Sequence, residues 1–302
     1  MAPSPPPQAK KAARATMAFA DWASRALLGI AGFHSRAVSS SGGSLQVIEG
    51  QGKGPIPTVL LLHGLGGAAT DWMPLMAQLR PVARRIIAVD LPGHGLNPDL
   101  PAGKFLEAEA DLYEVLNELV GDDPALVYGN SLGGIVAFRY ALAHSDKVGA
   151  LMLSSPGGAR TTEADLRQVL ACFDFRNRSD LFNFVRRVFP SARFSVPLVA
   201  MAMSVRLSRP FVREFIQTTS NRDTLSAEQV GQLSMPVLLS WGTAERVFPP
   251  SYLAFFREHL PDHAIVEEPE GYGHSPFLTQ SSKIARRMKR FWVDSGRPLA
   301  SA

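Results

Sequence analysis

The stretch Gly129-Asn130-Ser131-Leu132-Gly133 constrains the fold of this chain more than any other. An apolar run, Ala125 to Tyr128, stops at its first glycine, and a helical pattern, Leu132 to His144, starts inside it. A strand that becomes a helix within so few residues leaves room only for small side chains two places before and after the turn's centre. The central residue is pushed out of the backbone at the N-terminus of the new helix, where unsatisfied N–H groups point outward. Here that residue is a serine, so the turn presents a hydroxyl beside donors able to stabilise a developing negative charge. Glycine and serine are common, and such a pentapeptide can equally be a turn with the serine as helix N-cap. Its surroundings must decide between the two readings.

Three segments bear on that choice. The first is Leu62-His63-Gly64-Leu65-Gly66-Gly67, directly after the apolar run Thr58–Leu62. A glycine-rich loop after a buried strand can fold back with its N–H groups exposed and lend that of Leu65 to an oxyanion hole, with Leu132 as the second donor. His63 reads as a buried structural histidine that bonds loop backbone. The second is Pro236 to Pro249, where an apolar strand ends at Trp241-Gly242 and Glu245 follows in the loop. Groups that act in open parallel sheets collect at the carboxyl ends of strands, which puts Glu245 on the same edge as Ser131. The third is Gly271-Tyr272-Gly273-His274-Ser275-Pro276, after the strand-like Ala264–Glu267. Of the seven histidines, His274 is the one in a glycine-rich loop late in the chain; His34, His144, His259 and His263 read as exposed or helix-end residues.

A serine, then an acid, then a histidine, each after a strand, resembles the α/β-hydrolase fold family. The resemblance spans roughly residues 42–295, and Asp90-Leu91-Pro92-Gly93-His94-Gly95 is similar to that family's loop after the fourth strand. It implies Ser131 as nucleophile, His274 as base, Glu245 as the acid that orients the histidine, and the Leu65 and Leu132 N–H groups as oxyanion donors. Glu245 stands where the family usually has Asp, a departure its longer side chain can bridge. The loop Ser154-Ser155-Pro156-Gly157-Gly158, the other place where such enzymes carry the acid, has no carboxylate. Neither metal nor cofactor is expected, and the single cysteine, Cys172, reads as packing.

Apolar runs at Thr58–Leu62, Arg85–Val89, Ala125–Tyr128, Val148–Leu153, Pro236–Trp241 and Ala264–Glu267 alternate with helical patterns. Those helices are expected near Trp72–Leu79, Phe105–Val120, Leu132–His144, Ser251–His259 and Ser281–Val293. Continuous rather than alternating apolar strands imply a mostly parallel central sheet, of the α/β class, covered by helices on both faces. Residues 159–222 lack strand patterns and read as four helices, Glu163–Phe173, Asp180–Phe189, Pro197–Leu207 and Arg209–Thr219. The resemblance makes them a helical cap inserted after the sixth strand. The core is then 42–158 with 223–302, and 1–41 is an N-terminal extension. Eight of the 17 phenylalanines lie in the cap segment. Some must glue the cap together; Phe173, Phe182, Phe189, Phe211 and Phe215 are the candidates to line an acyl-sized pocket.

Charge is segregated. Residues 1–36 carry five Lys/Arg against one acid, residues 160–222 eleven Arg against five acids, and residues 281–302 six Lys/Arg against one. With a net charge of +4 over 302 residues, the rest is acidic. This is either a solvated surface that happens to segregate or a basic cap and termini facing an anionic membrane or lipid-like substrate. No nucleic-acid recognition motif accompanies the arginines. Pro3 to Pro7 is too proline-rich to pack. Lys10 to Phe33 follows a helical pattern that either docks on the body or lies in a membrane interface with Lys10, Lys11, Arg14 and Arg25 toward headgroups. Asp21 and Arg25 interrupt it too early for a membrane span or a signal peptide. One cysteine suits the cytoplasm, with membrane association left open.

A serine nucleophile excludes the aspartate-based epoxide and haloalkane chemistries of the resembled family. The expectation is therefore a serine hydrolase of hydrophobic carboxylic esters, lipase- or esterase-like and of monoacylglycerol type among others. The alternatives are a carbon–carbon bond hydrolase of aromatic ring cleavage, suggested by Asn130 and by arginines able to hold a dienoate, and a non-catalytic ligand binder.

Overall fold

The computed structural model describes residues 21–101, 103–175, 177–190, 196–297 and 299. Eight strands form one sheet: β1 (Phe33–Ser40), β2 (Gly43–Gln51), β3 (Ile56–Leu62), β4 (Ala83–Val89), β5 (Ala125–Ser131), β6 (Val148–Pro156), β7 (Val237–Ser240) and β8 (Ile265–Glu267). Their order is β1-β2-β4-β3-β5-β6-β7-β8. β1 pairs antiparallel with β2, and β2 with β4, while every pairing from β4 to β8 is parallel. The chain places β4 on one side of β3 and then crosses to lay β5 on the other. That reversal makes the carboxyl ends of β3 and β5 the natural crevice of the sheet.

The middle of the sheet is dry on both faces. Every residue of β5 and β6 is buried, as continuous apolar runs require. Alternate residues feed two separate cores, as the two-residue period of a strand dictates. Leu60, Leu62 and Val127 pack with Leu112 and Leu116 of α3 (Phe105–Val120), Val136 of α4 (Leu132–Ala143) and Phe256 of α10 (Pro250–His259). Val59, Leu61, Leu126 and Tyr128 face the other way, onto Leu75 and Leu79 of α2 (Met73–Leu79) and Met288 and Trp292 of α11 (Ser281–Asp294).

Between β6 and β7 lie α5 (Glu163–Ala171), α6 (Arg178–Val188), α7 (Val196–Arg206) and α8 (Pro210–Thr218), followed by the short α9 (Ala227–Gly231). The N-terminal extension differs from expectation. Its residues Phe33–Ser40 are β1, an edge strand, so the sheet begins at Phe33 rather than near residue 42. β1 eluded the sequence because it exposes most of its side chains and shows no apolar alternation. The preceding helix also stops early: residues 21–30 are helical (α1), and Gly32, at φ +77°, ends it. Phe33, expected on that helix, is instead a buried strand residue beneath the Arg80 guanidinium. The Pro-rich start and residues 10–20 of the expected helix lie outside the described residues.

Candidate active site

Ser131 ends β5 at φ 54° and ψ −117°, a left-handed backbone that a serine adopts only when the structure around it imposes it. The imposition is visible. A Cβ on Gly133 would run into the Leu62 carbonyl, and the Ser131 carbonyl accepts the Gly157 N–H at 2.9 Å. The elbow is thereby clamped between β3 and the end of β6. Leu132 opens α4, so its N–H belongs to the first turn, which has no intrahelical acceptor.

The loop after β3 supplies the other expected donor. Gly67 donates to the Gly64 carbonyl at 2.9 Å, closing a turn in which Gly66 takes φ +70° and Leu65 holds the second position. The N–H of that position is not used by the turn itself. Gly64 lies against the serine, since a Cβ there would stand 3.1 Å from that of Ser131. His63 anchors the loop from beneath: its Nε2 accepts the Leu91 N–H at 3.0 Å and its Nδ1 donates to the Gly64 carbonyl at 2.9 Å. Burial pushes its pKa down, and the neutral ring keeps the structural role read from the sequence.

Glu245 and His274 meet on the same edge. Glu245 Oε2 lies 2.8 Å from His274 Nδ1, and Oε1 accepts the N–H groups of Val247 at 2.6 Å and Phe248 at 3.1 Å. Burial alone would raise this carboxyl. The charge and hydrogen bond of His274 outweigh it, with help from the Ser155 hydroxyl and the Val247 N–H, and hold it below the usual carboxylate range. An ionised carboxylate only accepts, so Nδ1 carries the hydrogen and Nε2 keeps its lone pair. The acid and histidine loops are laced together. Ala244 N–H donates to the Tyr272 carbonyl at 2.9 Å, and Gly271 N–H to the Thr243 hydroxyl at 2.9 Å.

The sequence expectation on which all this bears is now decided at the level of family. The model of the alpha/beta hydrolase fold matches residues 57–281. The chain belongs to the α/β-hydrolase fold family. A pimeloyl-[acyl-carrier protein] methyl ester esterase of Neisseria meningitidis is 27% identical over 78% of this chain and 93% of its own. Among solved structures, a bacterial membrane phospholipase A superposes with TM-score 0.71 at 23% identity, covering 94% of this chain and 93% of that one. The carboxylesterase CesB of Bacillus subtilis superposes with TM-score 0.75 at 19% identity, covering 93% of this chain and 99% of that one.

In this member of the family the helices between β6 and β7 sit at the edge that carries Ser131, Glu245 and His274. Arg206 clasps both oxygens of Asp71, at 2.7 and 2.8 Å, just past the Leu65 loop. Arg209 donates to Asp99 at 2.7 Å and to the carbonyls of Gly95 and Asn97 at 3.0 and 2.7 Å. Pro190 presses on Gly273, where a Cβ would come within 2.5 Å of its ring. These two arginines tie the segment between β6 and β7 to the loops after β3 and β4.

Four of the five phenylalanines expected to line a pocket meet another ring or a guanidinium. Phe211 packs on His94 and Phe105, with Phe215 against Phe105 as well. Phe173 meets Phe184, Phe182 lies under Arg178, and Phe189 is half-buried against the cores. These contacts fit the packing role of apolar residues at helical spacing; Phe194 lies outside the described residues.

Three residues matter here that sequence reasoning did not single out for these tasks. Asn130 donates to the carbonyls of Ser154 at 2.9 Å and His274 at 2.7 Å, and accepts the Ser275 hydroxyl at 3.1 Å, tying the histidine loop to the elbow. Asp90, fully buried, accepts Ala69 N–H at 2.6 Å, Leu96 N–H at 3.0 Å and Arg25 Nη2 at 2.8 Å. Ser155, at φ 38°, faces the Glu245 carboxylate from the end of β6. Asn130 and Asp90 sit inside motifs already conspicuous in the sequence, but their partners are far away in the chain.

Proposed function

We propose that this chain is a serine hydrolase that cleaves a hydrophobic carboxylic ester through an acyl-enzyme. The observation that carries the reading is the Glu245–His274 bond of 2.8 Å on the edge where the elbow holds Ser131. His274 Nε2 takes the Ser131 proton as Oγ adds to the ester carbonyl. The oxyanion so formed is held by the Leu65 and Leu132 N–H groups, each worth on the order of 3 kcal/mol of barrier. The histidinium, stabilised by Glu245, returns the proton to the departing alkoxide, and the alcohol leaves. Water then repeats the sequence on the acyl-enzyme, with His274 as base and Ser131 as leaving group, and releases the carboxylic acid.

Relatives that are pimeloyl-[acyl-carrier protein] methyl ester esterases support an ester bond and an acyl substrate for this chain as well. They favour small alcohol leaving groups over the glycerol of a monoacylglycerol. The carbon–carbon reading keeps its motif likeness at Asn130 and Gly133-Gly134, but two of the arginines between β6 and β7, Arg206 and Arg209, are paired with Asp71 and Asp99. A p-nitrophenyl ester series of rising chain length, run beside acyl methyl esters and a ring-cleavage dienoate, tests the proposal. Ester turnover with a preference for medium chains is expected; dienoate turnover without ester turnover would overturn it.

A further inference from the structure

Helix α1 presents two unlike faces. Leu28 is 2% exposed, and Arg25 donates to Asp21 at 2.9 Å, to Ser35 at 2.9 Å and to Asp90, sealing that side to the body. Arg25 thus points inward rather than toward headgroups. On the other side Trp22 is 64% exposed, Leu27 58% and Ile30 86%, with Ala26 exposed among them. At 100° per residue these four positions span one arc of about 140°. Leu96, also exposed, stands next to the helix, since its N–H shares an Asp90 oxygen with Arg25. Large apolar side chains scattered singly over a surface need no explanation, but several gathered on one face mark an interaction site.

The location of the helix is informative. Asp21 accepts the Thr70 hydroxyl at 2.9 Å, and Asp90 accepts the Ala69 N–H, so α1 is bonded to the segment directly after the Leu65 loop. The apolar face therefore flanks the carboxyl edge that carries Ser131. The sequence ahead of it holds Lys10, Lys11 and Arg14 and no acid before Asp21. A few exposed side chains offer roughly a few hundred Å², short of the ~800 Å² per partner of a stable dimer. No helix among the described residues is long and apolar enough to cross a membrane. Apolar side chains beside basic charge are what an interfacial helix needs.

We propose that this face of α1 seats on an anionic phospholipid surface, with Trp22, Leu27 and Ile30 at the headgroup–acyl boundary and the catalytic edge beside the membrane. The proposal holds whichever ester is cleaved. The full chain is tested by flotation with vesicles of phosphatidylglycerol and phosphatidylcholine against phosphatidylcholine alone. Trp72, Trp241 and Trp292 are buried, so a vesicle-induced blue shift of tryptophan emission reports Trp22. The expected result is flotation with the anionic vesicles, weakened by salt, together with that shift. Leu27→Glu with Ile30→Glu lowers partitioning roughly tenfold or more while the thermal midpoint is kept. Ile30→Ser, at the most exposed position, provides the comparison if the double variant unfolds. Failure to float at low salt, equal flotation with phosphatidylcholine alone, or undiminished flotation of the variants would overturn the proposal. So would a concentration-dependent dimer dissolved by the same substitutions without vesicle binding.

Discussion

Glu245 keeps its charge with a side chain only 2% exposed, because two backbone N–H groups and an imidazole face its two oxygens. Its folded pKa lies below the ordinary value of 4.5, so it stabilises the fold fully above that value and loses the contribution as pH falls through the lower, folded one. Glu245→Gln removes the charge but not the shape. A loss of about 10²- to 10⁴-fold in kcat with little change in KM is expected, measured by steady-state ester hydrolysis. His94 titrates with the same sign. Burial first, then the neighbouring His63, pushes it down from 6.5 to about 3, so the unfolded chain binds its proton before the folded one does. Stability is lost as pH falls from 6.5 toward 3, and His94→Asn flattens that part of the curve of denaturant unfolding against pH. Asn130→Ala would leave the Ser154 and His274 carbonyls without their donor, a destabilisation of about 2–4 kcal/mol in urea unfolding. Activity falls further than stability explains, because the histidine loop is released from the elbow. The candidate catalytic residues were legible in the sequence because each is flagged by local glycines and a strand end. Asn130's second task was not, because its partner lies 144 residues away.

At the scale of elements, the parallel strands and the helices that cover them were legible because their burial is periodic and continuous. Phe105–Val120 and Ser281–Asp294 form helices with an apolar stripe and a polar face, whereas β1 has no such pattern and is held by its pairing with β2 and by two buried anchors, Phe33 and Val38. The docking of α1 was one of two readings open in the sequence, but its anchor was not visible there, since a mid-helix arginine reads as solvated until Asp90 is seen beneath it. Arg25→Ala would strand a carboxylate that is fully buried, retaining only its two backbone donors. A loss of about 3 kcal/mol is expected, partly restored in Arg25→Lys, by chemical denaturation. The helices between β6 and β7 are tied to the loops after β3 and β4 by the Arg206–Asp71 and Arg209–Asp99 pairs, each partly exposed. Arg206→Ala is expected to raise KM for long-chain esters severalfold more than for short ones, and to speed proteolysis between α6 and α8.

Across the whole molecule, the candidate catalytic groups gather on one edge of the sheet. The sheet's reversal between β3 and β5 puts the Leu65 turn beside Ser131, while β7 and β8 bring Glu245 and His274 to the same rim. The topology that does this followed from the order of motifs in the sequence, because a parallel sheet sends every strand's carboxyl end to one side. Substrate preference was far less legible. In α5 to α8 the phenylalanines meet other rings and two arginines meet distant carboxylates, contacts that no linear pattern reveals. The central claim is that Ser131 is the nucleophile of this assembly. Its most direct test is incubation with a fluorophosphonate followed by peptide mapping by mass spectrometry. One phosphonyl adduct on the peptide containing Ser131 is predicted, absent in Ser131→Ala and slowed in His274→Ala. An unlabelled wild type, or an adduct that persists in Ser131→Ala, would contradict it.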